Sequence, residues 1–584
     1  MTPTYRKDID TLRALAVVAV ALFHFGYCRN GYLGVDVFFV ISGYLITKQL
    51  YHQSETKKLS LSQFYMRRIR RIIPLLFIVS LTALVIGYFI MLPDDYENLS
   101  ESVVATVFFS NNILQYLTVG NYWNTSTHYM PLMHTWSLGI EEQFYIVYPF
   151  LFYLLKNRIR LLSITIIALT VISAALFFLS VNPVAAFFLL PSRFFELSLG
   201  GITAILLQKR TLPSALKVVL AVLLTVLLFA NIFLPQKLLL FLVVFISAAL
   251  VITTGQTKTN KFILENPLFT FIGKISFSIY MWHQVILAFT RYFVTDNYTP
   301  LQALCMGLLI LFLSVVTYYF IEQPFRNLKK INNKAVLCTT GILGTFLTIT
   351  GLYIYLHAGV VRDVPELGIT KNNIQRNMHA QYNDSIYKLD KTFCSNNKIK
   401  VLVIGHSFAR DWANVLLASK YSDKLDISYI FDLQKAKNAK QRIAEASIIY
   451  MSHLNKKEFT PLSTKYNIDI NKVKIIGLKN FGTNNGLYFN RKHLPDYCSQ
   501  RVRAKTAIIN RNKTLANEWG NHYINILAAV EKDGTLPVFT PDCKFISQDG
   551  KHFTRFGAKY FAEIFEDSNA LPFYKNTLQI KDQP

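Results

Sequence analysis

At 584 residues, with 52% hydrophobic and 14% aromatic content and a positive mean hydropathy, the chain is too apolar for an ordinary soluble protein and long enough for more than one domain. The apolar residues concentrate before about residue 360 and the rest has soluble composition, which predicts a large membrane domain followed by a globular one. The net charge of +26 does not point to nucleic acid, because much of the Lys and Arg in the first part lies in alternate short loops, the orientation signal of a multi-span protein.

The first apolar segment, DIDTLRALAVVAVALFHFGYC, carries Arg13 and His24. They are eleven residues apart, about three helical turns and ~16 Å along the axis, so they share one helix face. An ionisable group inside a span costs roughly 2.5 kcal/mol or more, which makes a functional site the default reading. The plainer reading is an Arg that snorkels and a His that bonds a neighbouring helix. No small-residue cleavage site follows, so the segment reads as retained rather than as a signal peptide.

Apolar stretches long enough to cross as helices fall near 12–28, 34–50, 72–92, 138–155, 161–180, 184–207, 216–234, 238–254, 268–293, 301–321 and 336–357, eleven in all. The segment 103–118 is interrupted by Ser110, Asn111, Asn112 and Gln115 and reads as a re-entrant or surface helix. With the N-terminus cytoplasmic, the inner loops hold Lys57, Lys58, Arg67, Arg68, Arg70 and Arg71, then Lys156, Arg158 and Arg160, then Lys209, Arg210 and Lys217, then Lys258 and Lys261, then Arg326, Lys329, Lys330 and Lys334. The loop 93–135 carries Asp94, Asp95, Glu97 and Glu101 without Lys or Arg. An odd number of spans then puts the C-terminal domain outside the cytoplasm.

Other polar groups fall in or beside these spans: Asp36 in GYLGVDVFFVISGYLI, Glu141 and Glu142 in HTWSLGIEEQFYIVYP, and Arg193 and Glu196, one turn apart, in PSRFFELSLGG. Several such groups on different helices suggest the lining of a site. FYMRRIRRIIP packs four arginines beside a span, suited either to phosphate oxygens or to anchoring against anionic headgroups. His128 and His134 are too far apart for a helical zinc pair and no Cys-x-x-Cys occurs, so no metal is expected.

From 358 to 393 the composition turns polar and reads as a linker with one short helix. IKVLVI at 399–404 runs into GHSFARDWANVL, a strand, turn and helix that would present Ser407 at a helix N-terminus, either as a nucleophile or as a simple N-cap. Further strands at 426–431, 447–451, 473–477 and 536–539, separated by helical stretches, suit a parallel α/β sandwich. DGKHFTRFGAKYFAEIF places Asp549 three residues before His552. Of Cys394, Cys498 and Cys543, one pair is available for a bridge if this half is outside the cytoplasm, and the pairing is open.

The membrane motifs resemble those of the acyltransferase-3 family, which O-acetylates bacterial surface glycans. They are Arg13 and His24, GYLGVDVFFVISGYLI, Arg68-x-x-Arg71, HTWSLGIEEQFYIVYP, SRFFELSLGG, IGKISFSIYMWH ending at His283, and YYFIEQPFR with Glu322, in family order over about 1–330. The resemblance implies acetyl-CoA as a cytoplasmic donor whose phosphates meet Arg68 and Arg71. It implies His24 as general base or acyl relay, helped by Arg13 and a carboxylate among Asp36, Glu141 and Glu142. Arg193, Glu196, His283 and Glu322 match the motifs without an assigned role.

Over about 394–584 the early strand–Gly-His-Ser–helix and the terminal Asp-x-x-His resemble SGNH hydrolases. That implies Ser407 as nucleophile, His552 as base and Asp549 as its orienting partner, with Asn480 as the oxyanion candidate and Asn455 as its rival. His406 stands where the family has Asp.

The expected architecture is an α-helical polytopic membrane bundle of about eleven transmembrane helices over 1–357, a linker over 358–393 and an extracytoplasmic α/β/α SGNH-like domain over 394–584. The expected function is transfer of acetyl from acetyl-CoA across a bacterial inner membrane to a glycan hydroxyl, lipopolysaccharide O-antigen or core sugar first and peptidoglycan second. The expected partners are therefore acetyl-CoA, a glycan or lipid-linked glycan and membrane lipids. Readings of another class are a transporter of acyl or lipid-linked compounds and a membrane-anchored esterase.

Overall fold

The computed structural model describes residues 5–56, 58–119, 127–155, 158–207, 210–252, 265–294, 298–370, 378–482, 484–566, 568 and 570–571. Lys57, Lys156, Lys209, Lys258 and Lys261, used in the orientation argument, lie outside them. The chain forms two compact units, Met1–Phe89 with Asn98–Tyr353, and Ile90–Glu97 with Ile354–Pro584.

The first unit is helical. Its elements are α1 (Lys7–His24), α2 (Gly34–Glu55), α3 (Leu61–Ile90), α4 (Pro93–Val107), α5 (Asn111–Val119), α6 (Thr135–Leu155), α7 (Ile159–Leu179), α8 (Pro183–Phe188), α9 (Leu190–Leu206), α10 (Ser214–Phe229) and α11 (Gln236–Leu250). There follow α12 (Pro267–Lys274), α13 (Ser276–Thr290), α14 (Pro300–Thr317), extended through a π-helical turn at Tyr318–Glu322 to Arg326, and α15 (Asn333–Leu356).

Among the described residues six helical segments are long and apolar enough to cross a membrane: Gly31–Glu55, Leu61–Ile90, Ile159–Leu179, Pro183–Leu206, Pro300–Arg326 and Asn333–Leu356. The count of eleven spans is therefore larger than length and composition carry. α10 and α11 are apolar but have 16 and 15 residues, α1 opens with Lys7, Asp8, Asp10 and Arg13, and the expected span 268–293 is broken at Ile275 into α12 and α13. The segment 103–118 holds the end of α4 and most of α5, neither long enough to span, joined through Phe109 at φ 52°.

α2 and α9 pack backbone to backbone. A Cβ on Gly43 would strike the Leu197 carbonyl and one on Gly200 the Val40 carbonyl, the close approach that small residues permit between membrane helices. The same pair of helices buries three charges. Arg193 Nη1 donates to Asp36 Oδ1 at 3.0 Å and Glu196 Oε1 at 2.5 Å, and Arg193 Nε donates to the Phe187 carbonyl at 3.2 Å. The three side chains are at most 2% exposed.

The second unit is a three-layer α/β/α domain. Its strands are β1 (Ile399–Ile404), β2 (Leu425–Ile430), β3 (Ile448–Ser452), β4 (Val473–Ile476), β5 (Arg501–Arg503), β6 (Tyr523–Ile524) and β7 (Thr535–Pro537). Five form a parallel sheet in the order β2-β1-β3-β4-β6. Alternation along β1 sends Val401 and Val403 to one face, against Trp412, Leu416, Phe561 and Phe565, and Leu402 and Ile404 to the other, against Ile443, Phe459, Leu515 and Trp519. The helices supplying these layers are α17 (Ser407–Ala418) and α21 (Arg555–Phe565) on the first face, and α18 (Ala439–Glu445), α19 (Lys456–Tyr466) and α20 (Thr506–Trp519) on the second; α16 (Met378–Asp384) precedes them in the chain.

Two expectations change here. The strand expected at 536–539 is β7, which pairs antiparallel with β5 outside the main sheet, and Pro537 suits that edge because it has no N–H to give. The fifth strand of the main sheet is the two-residue β6, too short to show as a pattern in sequence. Nor is the expected linker, 358–393, a free tether where it is described. Val360, Val364, Leu367 and Ile369 are buried with Leu92, Leu487 and Val538, and Phe545 N–H donates to the Glu366 carbonyl at 2.9 Å. Residues 371–377 of that stretch lie outside the described residues.

Cys498 and Cys543 form a disulfide with Cα atoms 5.0 Å apart, and Cys394 is free and exposed. The bridge closes a separation of 45 residues, for which loop entropy gives about 4 kcal/mol of stabilisation. Cys498→Ser should therefore lower the melting temperature of this unit, read by circular dichroism of the purified chain, and reductant should lower the wild type in the same way and the variant little. Arg193→Ala should leave Asp36 and Glu196 buried without their cation and cost about 3–5 kcal/mol. Combining Arg193→Met with Asp36→Asn and Glu196→Gln should recover most of that loss, as measured by fluorescence size-exclusion melting in detergent.

Candidate functional sites

In the helical unit α1 carries Arg13 and His24 to two different surroundings. Arg13 Nη1 donates to Asp10 Oδ1 at 3.3 Å and lines a cavity of about 80 Å³ with Ser42, Arg68, Arg71, Glu141 and Tyr145. A second cavity of about 350 Å³ shares Arg13 and Arg71 and adds Asp10, Lys274, Glu322 and Arg326. The two arginines of the R-x-x-R thus differ, with Arg71 on both cavities and Arg68 on the smaller one, its guanidinium 5.5 Å from the Tyr145 ring centre. Glu141 accepts from Ser42 Oγ at 3.0 Å and from the Tyr145 hydroxyl at 3.2 Å, and Glu142 lies in the same arginine field. Glu322, closing the π-helical turn, accepts from Ser278 Oγ.

His24 is next to other imidazoles. Its ring centre is 5.1 Å from that of His283, which is 5.4 Å from that of His134. His283 Nδ1 lies 2.6 Å from the Tyr280 carbonyl, which can only accept, so Nδ1 carries the proton and Nε2 the lone pair. His283 Nε2 is buried with no hydrogen-bond partner among the described residues, and the His134 ring is buried beside it. Asp36, one of three carboxylates expected to assist His24, is held instead by Arg193, and Glu141 and Glu142 belong with Arg68. His134 opens the very motif HTWSLGIEE that carries Glu141, yet its spacing in sequence raises only the question of zinc. Among the described residues no group of three His, Cys, Asp or Glu side chains is arranged to hold a metal ion.

In the α/β unit β1 ends in Gly405, at φ 132°, where a Cβ would strike Ser452 Oγ; glycine allows the sharp turn that starts α17 at Ser407. Ser407 is 4% exposed, and its Oγ has no hydrogen-bond partner among the described residues. The first-turn amides of α17 lack intrahelical acceptors and are the natural oxyanion donors. Asp549 orients His552: its Oδ2 takes the Nδ1 proton at 2.5 Å while its Oδ1 accepts the backbone amides of Lys551 and His552, each at 2.8 Å. That leaves Nε2 as the basic nitrogen.

A buried ion pair ties these two pieces together. Asp411 lies one turn beyond Ser407 on α17, and its Oδ2 accepts the Phe553 amide at 3.1 Å and the Lys479 ammonium. Lys479 also donates to the Lys551 carbonyl and sits 4.4 and 4.5 Å from the ring centres of Phe408 and Phe553. Phe553, next to His552, is thereby fastened to the helix that begins at Ser407. Nothing local marks Lys479 for this role, because its partner is 68 residues away. Asn480 Oδ1 accepts the Gly482 amide at 3.4 Å, and Asn455 is the N-cap of α19 in a capping box with Glu458, its Oδ1 accepting the Glu458 amide.

The sequence model of the acyltransferase-3 family, described as an acyltransferase domain, matches residues 6–319, over half of the chain. The chain belongs to that family. It is 28% identical over 72% of its length, and 77% of the relative's, to a Staphylococcus aureus (strain MRSA252) protein with an O-acetyltransferase name. It is 32% identical to a similarly named protein of strain MSSA476 and 28% identical to O-acetyltransferase OatA of strain NCTC 8325, covering 57% and 58% of those chains. No solved structure matches it. As an acyltransferase-3 member with several apolar helices long enough to cross, the chain is a multi-pass membrane acyltransferase joined to an α/β domain.

His453, at φ 39° after β3, has its ring centre 5.7 Å from that of Phe408, and burial holds its imidazole below the ordinary 6.5. The unfolded chain therefore binds a proton here before the folded one does, so the stabilisation is present above about pH 6.5 and is lost as pH falls from there toward the folded value. The melting temperature should drop on acidification through that window, and the drop should be smaller in His453→Gln.

Proposed function

We propose that this chain moves acetyl from cytoplasmic acetyl-CoA across a bacterial inner membrane and places it on hydroxyls of a surface glycan, with the N-terminus cytoplasmic and the α/β domain periplasmic. The observation that carries the reading is the Asp549–His552 pair fastened through Asp411 and Lys479 to the helix that begins at Ser407. An acyltransferase-3 unit has no need of a serine centre unless the acyl group passes through it. The disulfide in the same unit supports an oxidising compartment, and the arginine-lined cavities support a phosphate-bearing donor on the other side.

His24 serves as general base or acyl relay, with His283 Nε2 adjacent to share the proton, while Arg71 and Arg68 meet the donor. At the second centre Ser407 Oγ attacks the acyl carbonyl, giving its proton to His552 Nε2; the bond from the acetyl carbon to the group that carried it breaks, His552 passes the proton to that departing group, and the acetyl group becomes a serine ester. An acceptor hydroxyl then attacks that ester with His552 as base, and Ser407 recovers its proton. The acceptor class proposed first is lipopolysaccharide O-antigen or core sugar, with peptidoglycan as the alternative.

Mass analysis of surface glycans from strains carrying His24→Ala or Ser407→Ala tests this. Loss of O-acetyl in both supports the fused transferase, and the fraction that loses it names the acceptor. Increased acetylation in Ser407→Ala would establish an esterase instead. Unchanged glycan ester in both, with altered flux of an acyl compound in His24→Ala, would establish a transporter.

A further inference from the structure

We propose that a cavity of about 330 Å³ in the α/β unit is the subsite for a pyranose ring of the acceptor glycan. The inference rests on the acetyl-transfer reading above. The volume lies within the ~300–1,000 Å³ typical of small-molecule sites.

Position is the first argument. Two of the lining residues, Gln548 and Thr554, bracket the Asp549–His552 pair in sequence, so both ends of the loop that carries the pair reach the cavity wall. A third, Tyr382 of α16, has its phenol within electrostatic reach of Asp411, one turn from Ser407, and of Arg555; burial and the Asp411 charge both raise its pKa and keep it a hydroxyl donor.

Chemistry is the second. Amide, hydroxyl, phenol and guanidinium groups of Gln381, Ser385, Gln548, Tyr382 and Arg555 face an apolar wall that includes Leu367 and Ile369. A pyranose has the same division, with hydroxyls around its edge and C–H groups on its faces. Gln548 is 6% exposed, and its Nε2 has no hydrogen-bond partner among the described residues, a cost that a bound hydroxyl would remove. Arg555 is aligned by donating to the Gly368 carbonyl at 3.2 Å and lying 4.7 Å from the Phe556 ring centre, with other N–H groups left to give.

The origin of the walls is the third. They come from Pro93–Asp94, from 358–369 and from α16, which lie outside the α/β sandwich; Asn490 Nδ2 donates to the Ile90 carbonyl at 3.0 Å, Arg362 Nη2 ties 358–369 to the Met91 carbonyl at 2.8 Å, and the Phe545 amide donates to the Glu366 carbonyl at 2.9 Å. A stretch with the composition of a linker is thus built into a cavity beside the serine centre. A sugar held there presents its hydroxyl to the acetyl ester on Ser407: the new C–O bond forms, the ester C–Oγ bond breaks, and the hydroxyl proton passes through His552 to Ser407.

The test uses the purified full-length protein in detergent with p-nitrophenyl acetate as donor and the host strain's surface glycan, stripped of ester by alkali, as acceptor. Gln381→Ala and Arg555→Ala, both exposed positions, should each raise the KM for glycan up to about tenfold, the range of one or two hydrogen bonds. Ser385→Trp, which fills the cavity, should abolish saturation by glycan, and Arg555→Lys should recover part of the loss. Release of p-nitrophenol into water reports that the triad is assembled in each variant. If all three variants keep the wild-type glycan KM while p-nitrophenol release depends on Ser407, the cavity is not the acceptor subsite. If Ser407→Ala releases p-nitrophenol as fast as wild type, the serine-ester reading itself falls and takes the subsite with it.

Discussion

A charge removed from water must find its counter-charge within the fold, and this constraint shapes both units. Arg193 between Asp36 and Glu196 joins α2 to α9, and Lys479 against Asp411 joins α17 to the loop that carries Asp549 and His552. Pairs of this kind add little net stability over well-packed apolar residues, yet breaking one is expensive. They therefore specify arrangement more than they add strength. In the first unit the arrangement is a close helix pair whose glycines admit backbone contact; in the second it is a serine helix held in register with its base.

The same constraint separates the polar residues of the helical unit by task. Arg193, Asp36 and Glu196, where two acids share one guanidinium, hold α2 and α9 together. Those lining cavities, Arg13, Arg71, Lys274 and Arg326, outnumber the acids Asp10 and Glu322 that share the larger space with them, a surplus of positive charge suited to phosphate. The imidazoles form a third class. His24, His283 and His134 are grouped, with His283 Nε2 left without a hydrogen-bond partner among the described residues.

In the α/β unit, structure has drawn peripheral chain into the working part. Residues 358–393 are polar overall, and the apolar residues at their start, Ala358, Val360, Val361, Val364, Leu367 and Ile369, hold no sustained helical or strand period. Val360, Val364, Leu367 and Ile369 nonetheless bury with Val538 and Phe545, and three of them, Val360, Leu367 and Ile369, wall the cavity that Gln548 and Thr554 also line.

By itself the sequence determined the partition into apolar and soluble halves, the first four strands of the parallel sheet to within a residue or so, the serine at a helix start and the pairing of Asp549 with His552, because each rests on local composition or on spacings of a few residues. Only the tertiary structure decided that Asp36 serves Arg193, that His24 keeps company with His283 and His134, that Cys498 pairs with Cys543, that β6 completes the sheet and that Lys479 pairs with Asp411. Those facts depend on contacts between residues tens to hundreds of positions apart, and the partner of a buried charge or thiol is fixed by which surfaces the folded chain brings together.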